Sequence, residues 1–280
     1  MHLGFSKMDK KIRLYCDSLG RYVSVPEYPQ RIVSLVSSMT ETLFEIGAGE
    51  RVGGVSRYCG RYVNNLNAPV VGDYLHVEED KLREINPDLI LTTTGVQRNL
   101  GRKLADQGFP VFSFSLPNSL YGILENVVTL GGLVREVKAA RELAYRWQRV
   151  FVDLQAESTK PRPRVYAECW FGKYPRTPGS LTFIHDLITA AGGENIFSAE
   201  CQGYLPLDLD QVMPRKPDVM ILFTEPEYPL IADDLLKERG WVGLPVIKST
   251  VRRGENIIHD GPSMMSTVVW LKEQLRGVFR

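Results

Sequence analysis

Four cysteines and four histidines are the side chains of this 280-residue chain best suited to ligate a metal or to attack a substrate. Their spacing does not assemble either chemistry. Cys16, Cys59, Cys169 and Cys201 contain no CxxC pair, which a zinc ribbon or a thioredoxin-type site requires. His2, His76, His185 and His259 show neither HxxxH nor HExxH spacing. No GxSxG and no phosphate-binding P-loop occur. Gly47-Ala-Gly49-Glu-Arg-Val-Gly53 has the glycine spacing of a dinucleotide-binding turn, but that turn must follow a strand, and here a helical pattern precedes it. With no nucleophile–base pair, enzymatic activity is not expected. Aromatic residues carry the stronger signal. Tyr58, Tyr74, Trp170-Phe171, Tyr174 and Tyr204 are expected at loop positions that follow short apolar strands. Tyr and Trp offer large flat contact areas at low entropic cost, which suits binding without reaction.

The elements that position these residues come from an internal repeat. Asp80-Lys-Leu-Arg-Glu-Ile-Asn-Pro87-Asp88-Leu-Ile-Leu91 aligns without gaps on Asp210-Gln-Val-Met-Pro-Arg-Lys-Pro217-Asp218-Val-Met-Ile221, at an offset of 130. Tyr74 and Tyr204 fall in the same register, and Gly108-Phe-Pro-Val111 is echoed by Gly243-Leu-Pro-Val246. Short apolar runs at Ile32–Val36, Val52–Val55, Leu89–Thr92 and Val111–Phe114 predict strands, as do Val165–Glu168, Val219–Phe223 and Val246–Lys248. Ser38-Met-Thr-Glu41 has capping-box spacing and predicts a helix start. Helices are expected over Asp80–Ile85, Leu181–Ala191 and Ser263–Leu275. The alternation predicts an α/β fold of two lobes, each with a central parallel sheet flanked by helices. Leu133, Val137, Ala140, Ala144, Trp147, Phe151 and Leu154 form one apolar stripe at helical spacing, preceded by Gly131-Gly132. This predicts one long connecting helix over 131–160 between an N-terminal lobe, 15–130, and a C-terminal lobe, 161–280. Two such lobes would set both loop groups on one cleft.

Lys and Arg total 34 against 33 Asp and Glu, a formal charge of +1. Nucleic-acid binding, which normally needs a basic excess, is therefore not expected. No apolar run reaches the roughly 20 residues of a membrane span. The first residues lack the apolar stretch of a secretory signal, so either a cytoplasmic location or a removed leader is expected.

Pro29-Gln-Arg-Ile-Val-Ser-Leu-Val-Ser-Ser-Met-Thr-Glu-Thr-Leu-Phe-Glu-Ile-Gly-Ala-Gly-Glu-Arg-Val-Gly-Gly-Val55 resembles the opening of the class III substrate-binding proteins of ABC importers. Ile85-Asn-Pro-Asp-Leu-Ile90, Ala191-Gly-Gly-Glu-Asn-Ile-Phe197 and Lys216-Pro-Asp-Val219 extend the resemblance over residues 15–276, and Asp17–Pro26 fits the family's N-terminal hairpin. The resemblance implies capture of a metal chelate and delivery to a permease with its ATPase. The cobalamin-binding branch is the most similar, which implies a corrinoid ligand contacted by Tyr58, Tyr74, Trp170 and Tyr204, with His259 and Asp260 on a loop facing it. Tyr and His also suit ferric iron or haem, so a ferric-siderophore or haem ligand stays open. Asp80 and Asp210 match the family's exposed acids that meet permease arginines. No intrinsic cofactor is implied, no resident metal is assigned, and a monomer outside the cytoplasm is expected. Two alternatives remain: a cytoplasmic corrinoid or metal-cofactor carrier, and an enzyme on the same scaffold using Cys59, His76, Cys169 and Cys201.

Overall fold

Pro-Asp pairs at the same repeat position shape both halves of the molecule. The computed structural model describes residues 10–156 and 161–278. In chain order the strands and helices of the first half are β1 (Lys11–Cys16), β2 (Arg21–Pro26), β3 (Ile32–Ser34), α1 (Ser37–Glu45), β4 (Val52–Ser56), β5 (Val70–Gly72), α2 (Glu79–Ile85), β6 (Leu89–Thr93), α3 (Arg98–Asp106) and β7 (Val111–Phe114). Then come α4 (Leu120–Leu133), α5 (Val137–Ala156), β8 (Arg164–Phe171), β9 (Tyr174–Pro178), α6 (Phe183–Ala190), β10 (Glu194–Asn195), β11 (Tyr204–Pro206), β12 (Val219–Phe223), α7 (Ala232–Glu238), β13 (Val246–Ser249) and α8 (Met264–Gly277). The described residues pack into two units: 10–116 with 124–145, and 117–123 with 146–156 and 161–278.

The first unit holds a sheet in the order β5-β4-β3-β6-β7, parallel throughout. Val33, Leu35, Val71, Leu82, Ile90, Leu104 and Val111 make an apolar core against α2 and α3. The N-terminal hairpin β1–β2 is antiparallel. Asp88 accepts from the backbone N–H of Gln30 and of Arg31, each at 2.9 Å, while Arg31 Nε donates to the Asn86 carbonyl at 2.7 Å. The second unit reproduces this device. Asp218 accepts from Arg164 N–H at 2.7 Å, and Arg164 Nε donates to the Lys216 carbonyl at 3.2 Å. Asn86 and Lys216 both adopt left-handed backbone, with φ of 48° and 49°. The repeat therefore conserves a turn that locks the start of one parallel strand onto the start of its neighbour.

The second unit's sheet runs β11-β9-β8-β12-β13, with β10 also paired to β8. It is mixed, because β8 turns back through Gly172-Lys173 into antiparallel β9, and β11 then pairs antiparallel to β9. Gly172 at φ 61° supplies the left-handed residue that this tight turn needs. Strand β8 consequently runs on to Phe171, three residues past the expected end.

Two expectations change. Ser38 does not cap α1: the helix opens at Ser37 after an extended Val36 that makes no side-chain cap. Thr40 N–H already reaches the Val36 carbonyl at 2.9 Å, so Ser38 lies within the first turn and its hydroxyl is buried without a partner. The stripe predicted as one helix over 131–160 is divided, and its positions 157–160 lie outside the described residues. Helix α4 ends at Leu133 in a Schellman turn, where Glu136 N–H bonds the Gly131 carbonyl at 2.7 Å and Arg135 takes φ 63°. Gly131 lies inside α4, where a Cβ would collide with that of Ala140 on α5. Arg51 clamps this corner, donating to the Val134 carbonyl at 2.8 Å and to Glu136 at 2.9 Å.

Asp88→Ala removes an acceptor for two backbone N–H groups and should cost about 1–2 kcal/mol. Asp218→Ala, which frees one N–H at a more exposed position, should cost less. Urea denaturation measures both, and equal or negligible losses would contradict the locking role.

Candidate functional site

In the first unit the parallel order brings three strand ends together. Ser37 follows β3, Tyr58 follows β4 and Tyr74 follows β5, all at the carboxyl edge where open α/β sheets bind ligands. Tyr58 and Tyr74 stack, with ring centroids 4.3 Å apart and planes inclined by 19°. The guanidinium of Arg61 lies 4.9 Å from the Tyr58 ring centre, and that of Arg57 lies 5.7 Å away. Such contacts fix the ring and give its face a positive neighbour. The Tyr74 hydroxyl is 3.5 Å from Ser37 Oγ. Burial pushes the Tyr74 phenol above its ordinary range.

Asp73 builds the loop that presents Tyr74. Its carboxylate accepts from Leu75 N–H at 2.8 Å, His76 N–H at 2.9 Å and Arg57 at 2.8 Å. Burial pushes its pKa up, but these donors outweigh it and hold the carboxyl below the usual range. A side chain at Gly72 would strike the His76 carbonyl, so the loop closes only over glycine.

The second unit divides its candidates between two faces of the sheet. Along β8, alternate side chains point to opposite sides. Tyr166, Glu168 and Trp170 share one side, with Trp170 half-buried against the core of Tyr166, Phe197, Met220, Leu236 and Trp241. Trp170 is therefore a strand residue rather than the loop residue expected. Phe171 points to the other side and meets Tyr204 edge to face, with centroids 5.3 Å apart. Tyr204 and Tyr174 open β11 and β9, so neither follows a strand as expected. Burial pushes the Tyr204 phenol up. His259 is buried at 4% exposure, with its backbone N–H on the Asn256 carbonyl, and Asp260 is half-buried beside it. Ser249 Oγ, at the end of β13, accepts from Ile257 N–H at 3.1 Å and anchors that loop.

Glu168 is the functional candidate that sequence reasoning missed. It is fully buried and accepts from Trp170 Nε1 at 2.7 Å, from the Tyr166 hydroxyl at 2.7 Å, and from both Arg239 terminal nitrogens at 2.6 and 3.0 Å. Glu-x-Trp alternation on a strand was legible; Arg239, contributed from 71 positions away, was not.

Asp80 in the first turn of α2 and Asp210 in the short 3-10 turn Leu209–Gln211 are both exposed. Glu79 is taken by Lys103 at 2.7 Å and Gln107 at 3.0 Å, which leaves Asp80 as the free acid of that turn. Cys59 and Cys169 are buried, and burial pushes both thiols up, against thiolate formation. His76 and Cys201 are exposed. Among the described residues no three His, Cys, Asp or Glu side chains gather to hold a metal ion. A cavity of about 240 Å³ between α2 and α3, lined by Leu75, His76, Glu79, Leu100 and Lys103 among others, includes none of the predicted ligand residues.

Residues 32–252 match the family described as periplasmic binding protein. The chain is 29% identical over 213 residues to a cobalamin-binding protein of Halobacterium salinarum, a match that covers 73% of this chain and only 57% of that relative's length. It is 27% identical over 199 residues to a vitamin B12-binding protein of Photorhabdus laumondii, covering 69% of this chain and 70% of that one. Its fold is similar to that of the periplasmic heme-binding protein RhuT from Roseiflexus sp. RS-1, with a TM-score of 0.74 at 22% identity over 90% of this chain and 99% of the other. These findings agree with the resemblance. The chain belongs to the periplasmic binding protein family.

Proposed function

We propose that the protein binds cobalamin or another corrinoid against aromatic side chains, Tyr58 and Tyr74 foremost, and delivers it outside the cytoplasm to the permease and ATPase of an ABC importer. The observation that carries this reading is the Tyr58–Tyr74 stack, backed by Arg61 and set at a parallel-sheet carboxyl edge. A macrocycle gains affinity by burying its apolar face on such rings. The 27–29% identity to cobalamin-binding and vitamin B12-binding proteins supports the same ligand class. Asp80 and Asp210, exposed at equivalent repeat positions, would meet the permease.

Calorimetric titration with cyanocobalamin should show saturable binding in the micromolar range or tighter, about 8 kcal/mol or more. Haemin should bind more weakly. Tighter haemin binding, or no response to cyanocobalamin, rejects the corrinoid assignment. Removing both rings, Tyr58→Ala with Tyr74→Ala, should weaken binding about tenfold or more, equivalent to ~1.4 kcal/mol.

A second test concerns delivery. Asp80→Arg with Asp210→Arg should leave the dissociation constant within about twofold, since surface charges far from a ligand contribute little to its binding, yet abolish uptake in cells with the cognate permease. Unchanged uptake would reject the docking assignment and favour a carrier without a transport role.

A further inference from the structure

We propose that Glu168 is a positioning residue for ligand binding: it grips the Trp170 indole by its N–H and so turns the ring into a contact that offers carbon surface and no hydrogen-bond donor. This rests on the binding reading above and narrows it, since such a ring suits a planar ligand with an apolar face.

The geometry fixes the carboxylate before it fixes the ring. Arg239 meets Glu168 with two nitrogens at 2.6 and 3.0 Å, one to each oxygen. The Tyr166 hydroxyl adds a third donor on Oε2 and the Trp170 indole a fourth on Oε1. Each oxygen thus accepts two bonds, which exhausts the acceptor capacity of an ionised carboxylate. The Arg239 side chain is 9% exposed and Glu168 is 0% exposed, so the pair is held away from solvent and its charges compensate one another. Arg239 also lies 5.1 Å from the centre of the Trp241 ring, which in turn meets Tyr166 edge to face at 5.8 Å. These contacts hold the guanidinium from a second direction. A bidentate Arg–carboxylate pair is geometrically specific. Trp170 remains half-exposed, whereas Tyr166 and Glu168 are buried. Its one polar side-chain atom is spent on the buried carboxylate, so the rest of the ring can offer a ligand only carbon.

Two measurements test this. In the wild-type protein without ligand, the Trp170 indole N–H, assigned by its loss in Trp170→Phe, should exchange with water roughly 100-fold more slowly than free tryptophan. Exchange near the free rate would overturn the proposal. The second is a cycle with cyanocobalamin as the probe. Glu168→Gln should weaken binding about tenfold where Trp170 is present, because an amide has fewer acceptor sites and opposes a donor with a donor. In the Trp170→Ala background the same change should cost less than about twofold. Equal losses in both backgrounds, or none in either, would overturn it. Should cyanocobalamin fail to bind the wild type, the corrinoid reading fails, while the indole exchange still decides whether Glu168 holds the ring.

Discussion

Parallel strands cannot be joined by tight turns, and every other property of the candidate site depends on that restriction. A connection between parallel neighbours must cross back over the sheet, so the chain always leaves a strand at the same edge. In the first unit β3, β4 and β5 obey this, and residues from three separate stretches, Ser37, Tyr58 and Tyr74, arrive together. No local preference of these residues would do so. The ring stack follows from the strand order, and Asp73 and Arg61 refine its angle.

The second unit relaxes the restriction and acquires something different. The Gly172 turn sends β8 back as β9, and the extra length of β8 carries Glu168 and Trp170 along one face and Cys169 and Phe171 along the other. A buried carboxylate then needs partners, because an uncompensated charge in the interior costs several kcal/mol. Arg239, Tyr166 and Trp170 supply them. The units thus present aromatic surface by different means. In the first, a ring is laid on a ring; in the second, a ring is tethered by its polar atom.

Much of this was legible in the residues, and what was not has a common cause. The Pro87-Asp88 and Pro217-Asp218 repeat announced two equivalent units, and the structure shows why it recurs: each aspartate pins a strand start through backbone N–H groups. Apolar runs located β6, β7, β12 and β13 to within a residue or so; in β6 and β12, buried inside their sheets, the reason is that such strands must be apolar. The break between α4 and α5 escaped because Arg135, not glycine, occupies the left-handed position, while the neighbouring Gly131 serves helix contact instead. The β8–β9 turn, the pairing of Tyr204 with Phe171, and Arg239 on Glu168 are all made by residues distant in sequence or set by strand register. Local pattern carries no record of such partners.

The central claim is that a corrin ring lies against these particular aromatic side chains. Aromatic proton spectra of the Tyr- and Trp-labelled protein, recorded as cyanocobalamin is added, address it directly, because a macrocycle stacked on a ring shifts that ring's resonances. The account predicts saturable shifts at Tyr58 and Tyr74. Shifts confined to exposed rings such as Tyr15, Tyr22 and Tyr145, or none at saturation, would contradict it.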